Sequence, residues 1–168
     1  MCSSDLTGTA TYANGDVYTG GFRADKRHGQ GVFTGTDGYR YEGDWVEGEI
    51  LGRGRATFPN GSVYEGQFAQ GKPHGTGKIT YADGGSYEGD WVEGEILGQG
   101  RATFPNGSVY EGQFAEGKPN GTGTITYADG GTYEGDWVAG EITGKGVARY
   151  ANGSVYTGDF VKGLHQGK

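Results

Sequence analysis

Cysteine is nearly missing: Cys2 is the only one in 168 residues. No internal disulfide can therefore form, and no cysteine-based zinc site. Proline is scarce too, at four residues, which excludes a collagen-like chain or a proline-rich linker. No run of 18 apolar residues is present, so no segment reads as a membrane-spanning helix. The amino terminus has neither the basic start nor the apolar stretch of a signal peptide. The compartment stays open, with a slight lean to the cytoplasm. The formal net charge is −7 with no basic run, a poor match to nucleic acid or to an anionic bilayer. Arg23, Lys26, Arg27 and Arg40 form the one basic cluster.

Glycine, by contrast, is abundant, at 38 residues on fixed positions. A tyrosine returns every 23 residues, at Tyr18, Tyr41, Tyr64, Tyr87, Tyr110, Tyr133 and Tyr156. A fixed period of this size marks stacked repeats. Numbered from its tyrosine, the unit has Gly at 3, Trp or Phe at 5, Gly at 8, 12 and 14, an aromatic at 18, and Asn-Gly or Asp-Gly at 20–21. Tyr41, Gly43 and Trp45 alternate with Glu42, Asp44 and Val46, the period-two pattern of a strand. A helix is disfavoured because each interior glycine costs about 1 kcal/mol relative to alanine. A second strand follows at Gly54-Arg55-Ala56-Thr57-Phe58. Asn60-Gly61 reads as a two-residue type I′ hairpin turn, as do Asn14-Gly15, Asp37-Gly38, Asp83-Gly84, Asn106-Gly107, Asp129-Gly130 and Asn152-Gly153. The other connection, Glu47 to Gly52, reads as longer.

The expected fold is all-β: an elongated, twisted, single-layer antiparallel β-meander or solenoid of stacked β-hairpin repeats. Each unit should advance about 10 Å. Bare glycine backbone should receive neighbouring rings, giving a structural aromatic spine. Its members are the seven tyrosines, then Phe22, Trp45, Phe68, Trp91, Phe114, Trp137 and Phe160 at position 5. Phe58, Tyr81, Phe104, Tyr127 and Tyr150 complete it at position 18. In the first unit that position is Gly35, so one ring should be missing there. The same unit has Asp25 at position 8 and an extra Gly21.

The pattern Y-x-G-x-W/F-x-x-G-x-x-x-G-x-G resembles the membrane occupation and recognition nexus, or MORN, repeat over residues 18–168. The resemblance implies a mostly non-catalytic array that serves as scaffold, spacer or dimerisation surface, sometimes beside a kinase or methyltransferase domain. Residues 7–17 form a half repeat, and the unit that starts at Tyr156 is cut short at Lys168. Residues 1–6 fit no part of the repeat and read as a translated sequencing-adapter end, hence a non-native leader on a fragment. Residues 41–86 and 87–132 differ at only five places: Arg53/Gln99, Gln70/Glu116, His74/Asn120, Lys78/Thr124 and Ser86/Thr132. Such copying extends length and does not build one active site.

No chemistry is expected from the remaining motifs, and no cofactor or metal. His28 and His74 stand two repeats apart, about 20 Å along the stack, too far to share an ion; with His165 they read as exposed turn residues. The recurring G-x-G sequences lead into strands, not into the helix a phosphate loop requires. Glu42, Glu65, Glu88, Glu111 and Glu134 form a ladder beside Asp44, Asp90 and Asp136. It reads as a solvated outer face and as a candidate acidic interaction face. The functional expectation is a repeat scaffold or spacer for protein partners of unknown identity, with homo-oligomerisation through open sheet edges. The first alternative is an accessory, targeting or membrane-associated region of a larger enzyme. The second is a carbohydrate- or cell-wall-binding module, which would need Trp45, Trp91 and Trp137 in an open groove.

Overall fold

The computed structural model describes residues 5–162 and 164–166; Cys2 and most of the six-residue leader lie outside them, as does the side chain of His165. Every element is a strand. The chain divides into two compact units, Met1–Ala82 and Asp83–Lys168.

The first unit holds β1 (Asp5–Thr11), β2 (Val17–Arg23), β3 (Lys26–Thr34), β4 (Arg40–Val46), β5 (Glu49–Thr57), β6 (Val63–Ala69) and β7 (Lys72–Thr80). Each strand pairs antiparallel with the next, from β1 to β7. The second unit repeats this with β8 (Ser86–Val92), β9 (Glu95–Thr103), β10 (Val109–Ala115), β11 (Lys118–Thr126), β12 (Thr132–Val138), β13 (Glu141–Arg149), β14 (Val155–Val161) and β15 (Leu164–Gln166). Its strands also pair in sequence order. Each unit is thus a single-layer antiparallel meander with a 23-residue hairpin as its step.

The two kinds of turn are the reverse of the expectation. The type I′ turn sits at Glu47-Gly48, where both residues have positive φ, 49° and 90°, and Val46 pairs with Glu49 across it. Asn60-Gly61 belongs to a longer loop. There the Gly61 N–H donates to the Phe58 carbonyl at 2.9 Å and the Phe58 N–H to the Ser62 carbonyl at 2.8 Å. Pro59, with φ near −65°, suits the first central position of a type I turn, and Ala128 and Ala151 take the same place in equivalent loops. Only Gly61 then turns left-handed, at 94°, closing a three-residue loop with a glycine bulge. Asn60 Oδ1 accepts the Ser62 N–H at 2.8 Å, the usual asparagine contribution to a turn.

Glu47 tolerates its left-handed backbone because the preceding hairpin holds the turn. The Gly48 N–H donates to the Arg27 carbonyl at 2.7 Å, and the Glu47 N–H donates to His28 Nδ1 at 3.2 Å. One repeat later the Gly71 N–H donates to the Ile50 carbonyl at 3.0 Å.

The core lies on one face. Tyr18, Tyr41 and Tyr64 in the first unit, and Tyr87, Tyr110 and Tyr133 in the second, are fully buried. Glycines make this possible. Gly54 faces Gly43 and Gly66 across the strands, and a Cβ on Gly54 would stand 2.2 Å from Tyr41 Oη. The tyrosine ring therefore lies directly on bare backbone. Trp45 and Phe68 bracket Tyr41 edge-on, with centroids 5.4 and 5.0 Å away, an arrangement favoured by the ring quadrupoles. The second unit repeats this with Tyr110 between Phe114 at 5.1 Å and Trp137 at 5.0 Å.

Candidate functional site

Three rows of side chains run across the strands of each unit, and their surroundings assign each a role. The first is the buried ring row just described. Its tyrosine hydroxyls are tied to backbone: Tyr64 Oη donates to the Gln67 carbonyl at 2.7 Å and Tyr110 Oη to the Gln113 carbonyl at 2.9 Å. Burial pushes both phenols up to about 12 from the ordinary 10.0, and Tyr41 further still. A group with a raised folded-state pKa contributes stability fully below its unfolded value and loses it as pH rises through the folded one. Stability should therefore fall between pH 10.0 and about 12. Ultraviolet absorbance titration should show a late-ionising phenol class whose ionisation coincides with loss of the sheet; a lone phenol class near 10.0 with the sheet intact would overturn this.

Position 4 carries a backbone role that the sequence did not disclose. Strand register slips between Gly43 and Trp45, so Asp44 faces the extra residues of a bulge in β5. Asp44 Oδ2 accepts the Arg53 N–H there at 3.1 Å. A Cβ on Gly52, whose φ is 109°, would stand 2.7 Å from that oxygen. Gln67 Oε1 does the same for the Thr76 N–H at 2.8 Å, and Asp90 and Gln113 serve the next two repeats. The alternation of Asp and Gln with a 46-residue period is therefore an alternation of two acceptors. Asp44→Ala should cost about 1 to 3 kcal/mol if the freed N–H stays dry, and Asp44→Gln much less; chemical denaturation midpoints will tell. In the first repeat Gly21 replaces the acceptor, since a Cβ there would meet the His28 carbonyl at 2.2 Å.

The histidines have a related use. His28 accepts the turn N–H of Glu47, and Asn120 Oδ1 accepts that of Ala139 at 2.9 Å. This explains why asparagine can stand in for histidine at position 11. His28→Asn should leave stability within about 0.5 kcal/mol, whereas His28→Ala should cost about 1, measured by the same denaturation. Among the described residues no cluster of three or more His, Cys, Asp or Glu is placed to hold a metal.

The glutamate ladder has basic neighbours across the strands. Register interleaves it with bases: Glu42 faces Arg55, Arg55 faces Glu65, and Glu65 faces Lys78. In the second unit Arg101 lies between Glu88 and Glu111, but Thr124 and Val147 flank Glu134. Arg55–Glu65 at 3.8 Å and Arg101–Glu111 at 3.4 Å are exposed pairs that contribute little to stability.

The position-18 aromatics form a third row, separate from the buried one. They sit at the three-residue loops, on the same face as the core but partly in solvent: Phe58 and Phe104 are half-buried, and Tyr81, Tyr127 and Tyr150 are exposed. Near Gly35 the missing ring is replaced from elsewhere. Tyr39 lies 6.3 Å from Phe33 and 5.8 Å from Phe58. Arg27, where later repeats have Ile or Pro, places its guanidinium 4.7 Å over Trp45 and donates to the Gly48 carbonyl at 3.2 Å. Phe33, Tyr39 and Trp45, with Arg27 and Ile50, line an open groove of about 320 Å³. Aligning position 10 along the sequence would have exposed Arg27 as an exception. Tyr156 and Phe22, at the outermost repeats, are only half-buried. The three tryptophans are 4%, 5% and 5% exposed, so they do not together present the open tryptophan faces that a carbohydrate module requires.

A sheet whose position-1 tyrosines, tryptophans and facing glycines are committed to packing, repeated hairpin by hairpin, defines a structural repeat array. The chain belongs to the MORN repeat family, whose repeat matches residues 18–38, 41–63, 64–86, 87–109, 110–132, 133–155 and 156–168. It is similar to phosphatidylinositol 4-phosphate 5-kinase 1 of Oryza sativa subsp. japonica, 39% identical over 54 residues, 32% of this chain and 7% of the kinase. That match covers repeat sequence and not the kinase domain. Among solved structures it is similar to the SAS-4 (dCPAP) TCP domain of Drosophila melanogaster in complex with a proline-rich motif of Ana2 (dSTIL). The TM-score is 0.55 at 13% identity, over 90% of this chain and 82% of that one. The G-box domain of the microcephaly protein CPAP aligns with a TM-score of 0.43 at 18% identity, over 90% and 84% of the two chains.

Proposed function

We propose that this chain is a non-catalytic scaffold that presents side-chain rows to protein partners. The observation that carries this reading is the division of labour within each hairpin. The recurring Tyr, Trp and facing Gly positions are consumed by packing, and most of the acids that might do acid–base work cap bulges or stand beside bases on an open face. What is left for function is extended surface, which is how repeat arrays generally bind. The peptide complex of the Drosophila domain, a fold relative, supports protein partners. A second reading, an accessory region of a larger enzyme, is favoured by the match to repeat sequence within a lipid kinase; it is compatible with a scaffolding role.

The test is to offer the immobilised chain a peptide array, a glycan array and vesicles of phosphatidylcholine with phosphatidylserine. Saturable binding to a subset of peptides is expected. Binding confined to glycans, or tight salt-sensitive binding confined to the vesicles, would sink the proposal.

A further inference from the structure

We infer that the third row of the second unit is a docking track for a basic peptide in the polyproline II conformation. This rests on the scaffold reading and names the chemistry of the partner. Phe104, Tyr127 and Tyr150 occupy equivalent places in three successive hairpins, at the start of their three-residue loops. Tyr127 and Tyr150 are 38% and 42% exposed, although the rest of that face is packed. Their spacing is set by the sheet: one hairpin is two strands, hence about 9.6 Å. A polyproline II helix completes a turn in three residues and about 9.3 Å. A peptide of that form lying across the strands would present every third residue to successive rings, drifting by less than about 1 Å over the three. An α-helix, at about 5.4 Å per turn, has no such match.

The space between two of these rings has a suitable shape. A cleft of about 120 Å³ lies between Tyr127 and Tyr150, bounded by Tyr133, Ile142, Ala148 and Phe160. It holds several times the roughly 30 Å³ that a water occupies in the liquid, and Ile142, Ala148, Tyr150 and Phe160 give it apolar lining for a prolyl ring. Aromatic-lined grooves take polyproline II segments well because such segments are already ordered before binding. Within the cleft Asp129 and Arg149 offset each other, so the sign of the partner's charge is set by the unit as a whole. Residues 83–168 carry twelve acids against six bases, whereas residues 1–82 carry nine against eight. Nearly all the net charge of the chain is therefore on the unit with the regular row, and a peptide with Lys or Arg on its outward face is electrostatically complementary.

The test measures fluorescence anisotropy of fluorescein-labelled Pro-Pro-Lys peptides with the full chain. Binding should strengthen as triplets are added up to three and gain much less from a fourth. Inserting one alanine after each triplet should abolish it, because the period no longer fits. Replacing Lys by Glu should weaken it, and added salt should narrow that difference. Tyr127→Ala and Tyr150→Ala should each weaken binding by about tenfold, as central aromatic anchors do. Circular dichroism checks that both variants keep the sheet. Tyr127→Leu keeps the apolar volume, so it separates loss of the ring from loss of fold. Equal binding of the alanine-interrupted peptide, or indifference to Tyr127 and Tyr150, overturns the inference. If the triplet peptides fail while the peptide array returns other ligands, the scaffold reading stands and the polyproline track falls; if the array is empty as well, both fall.

Discussion

Gly54→Ala should cost about 3 kcal/mol or more, at the upper end of what overpacking a core costs. The reason is that the added methyl has nowhere to go. It would stand 2.2 Å from Tyr41 Oη and 2.5 Å from two further atoms of the same ring. The ring cannot rotate away, because Trp45 and Phe68 hold it edge-on from both sides. Lifting it also breaks the hydroxyl's bonds to the Asp44 carbonyl at 2.9 Å and the Arg53 carbonyl at 3.3 Å. Gly48→Ala is the control: its φ is 90°, but nothing lies within 4 Å of the new Cβ, so only backbone strain of about 1 kcal/mol is expected. Repeat units contact mainly their neighbours, so the damage should be local. Hydrogen exchange should show amides of β4, β5 and β6 losing protection first, ahead of those in β1 and β2. Equal costs for the two substitutions would show that the Tyr41 ring yields to the added methyl and that its seat on Gly54 is not what requires glycine.

Period and alternation made the strands, the open single-layer meander and the family legible, because they depend on residues that recur in register. The placement of the turns was not legible, for a physical reason. Asn-Gly is the best local signal for a type I′ turn, yet here the loop runs over three residues, with the Phe58 N–H bonded to the Ser62 carbonyl, and only its glycine is left-handed. Glu47-Gly48 carries a weaker local signal, and it turns left-handed because the Arg27 carbonyl and His28 of the preceding hairpin capture its N–H groups. Those partners lie 21 and 19 residues away in sequence, beyond the reach of local propensity. The bulge shows the same limit. Asp44 read as one of the outer-face acids, and only the register slip between Gly43 and Trp45 reveals that its carboxylate is bound to backbone. Among candidate site residues, the glutamates were visible but their basic neighbours were not, since Glu42 and Arg55 become adjacent only once β4 and β5 pair. The exposed third row was merged with the spine because position 18 alternates in phase with the core. Its location at a loop, which lets in solvent, is a feature of the fold.

Tyr64→Ala should cost about 4 kcal/mol, in the range for deleting a buried ring, and Tyr64→Phe only about 1 to 2, the worth of a hydroxyl bond whose acceptor is left buried. The comparison decides which part of the recurring tyrosine holds the sheet. Tyr64 is fully buried and meets Phe68 edge-on at 5.0 Å, so its removal opens a cavity over the Gly66–Gly77 pair. Bare backbone there cannot collapse to fill it, because the strands are already paired. The hydroxyl adds a narrower function: it donates to the Gln67 carbonyl at 2.7 Å and approaches the Thr76 carbonyl at 3.3 Å. These two carbonyls flank the bulge, which the Gln67 side chain closes from the other side through the Thr76 N–H at 2.8 Å. Phenylalanine would keep the ring and lose that fastening, so its smaller cost should be accompanied by faster exchange of the Thr76 amide. If phenylalanine instead costs as much as alanine, the hydroxyl and its bulge outweigh the ring stack, and the recurring Tyr is selected for its oxygen. On the magnitudes given, the ring supplies most of the stability and the oxygen fastens the backbone at the bulge.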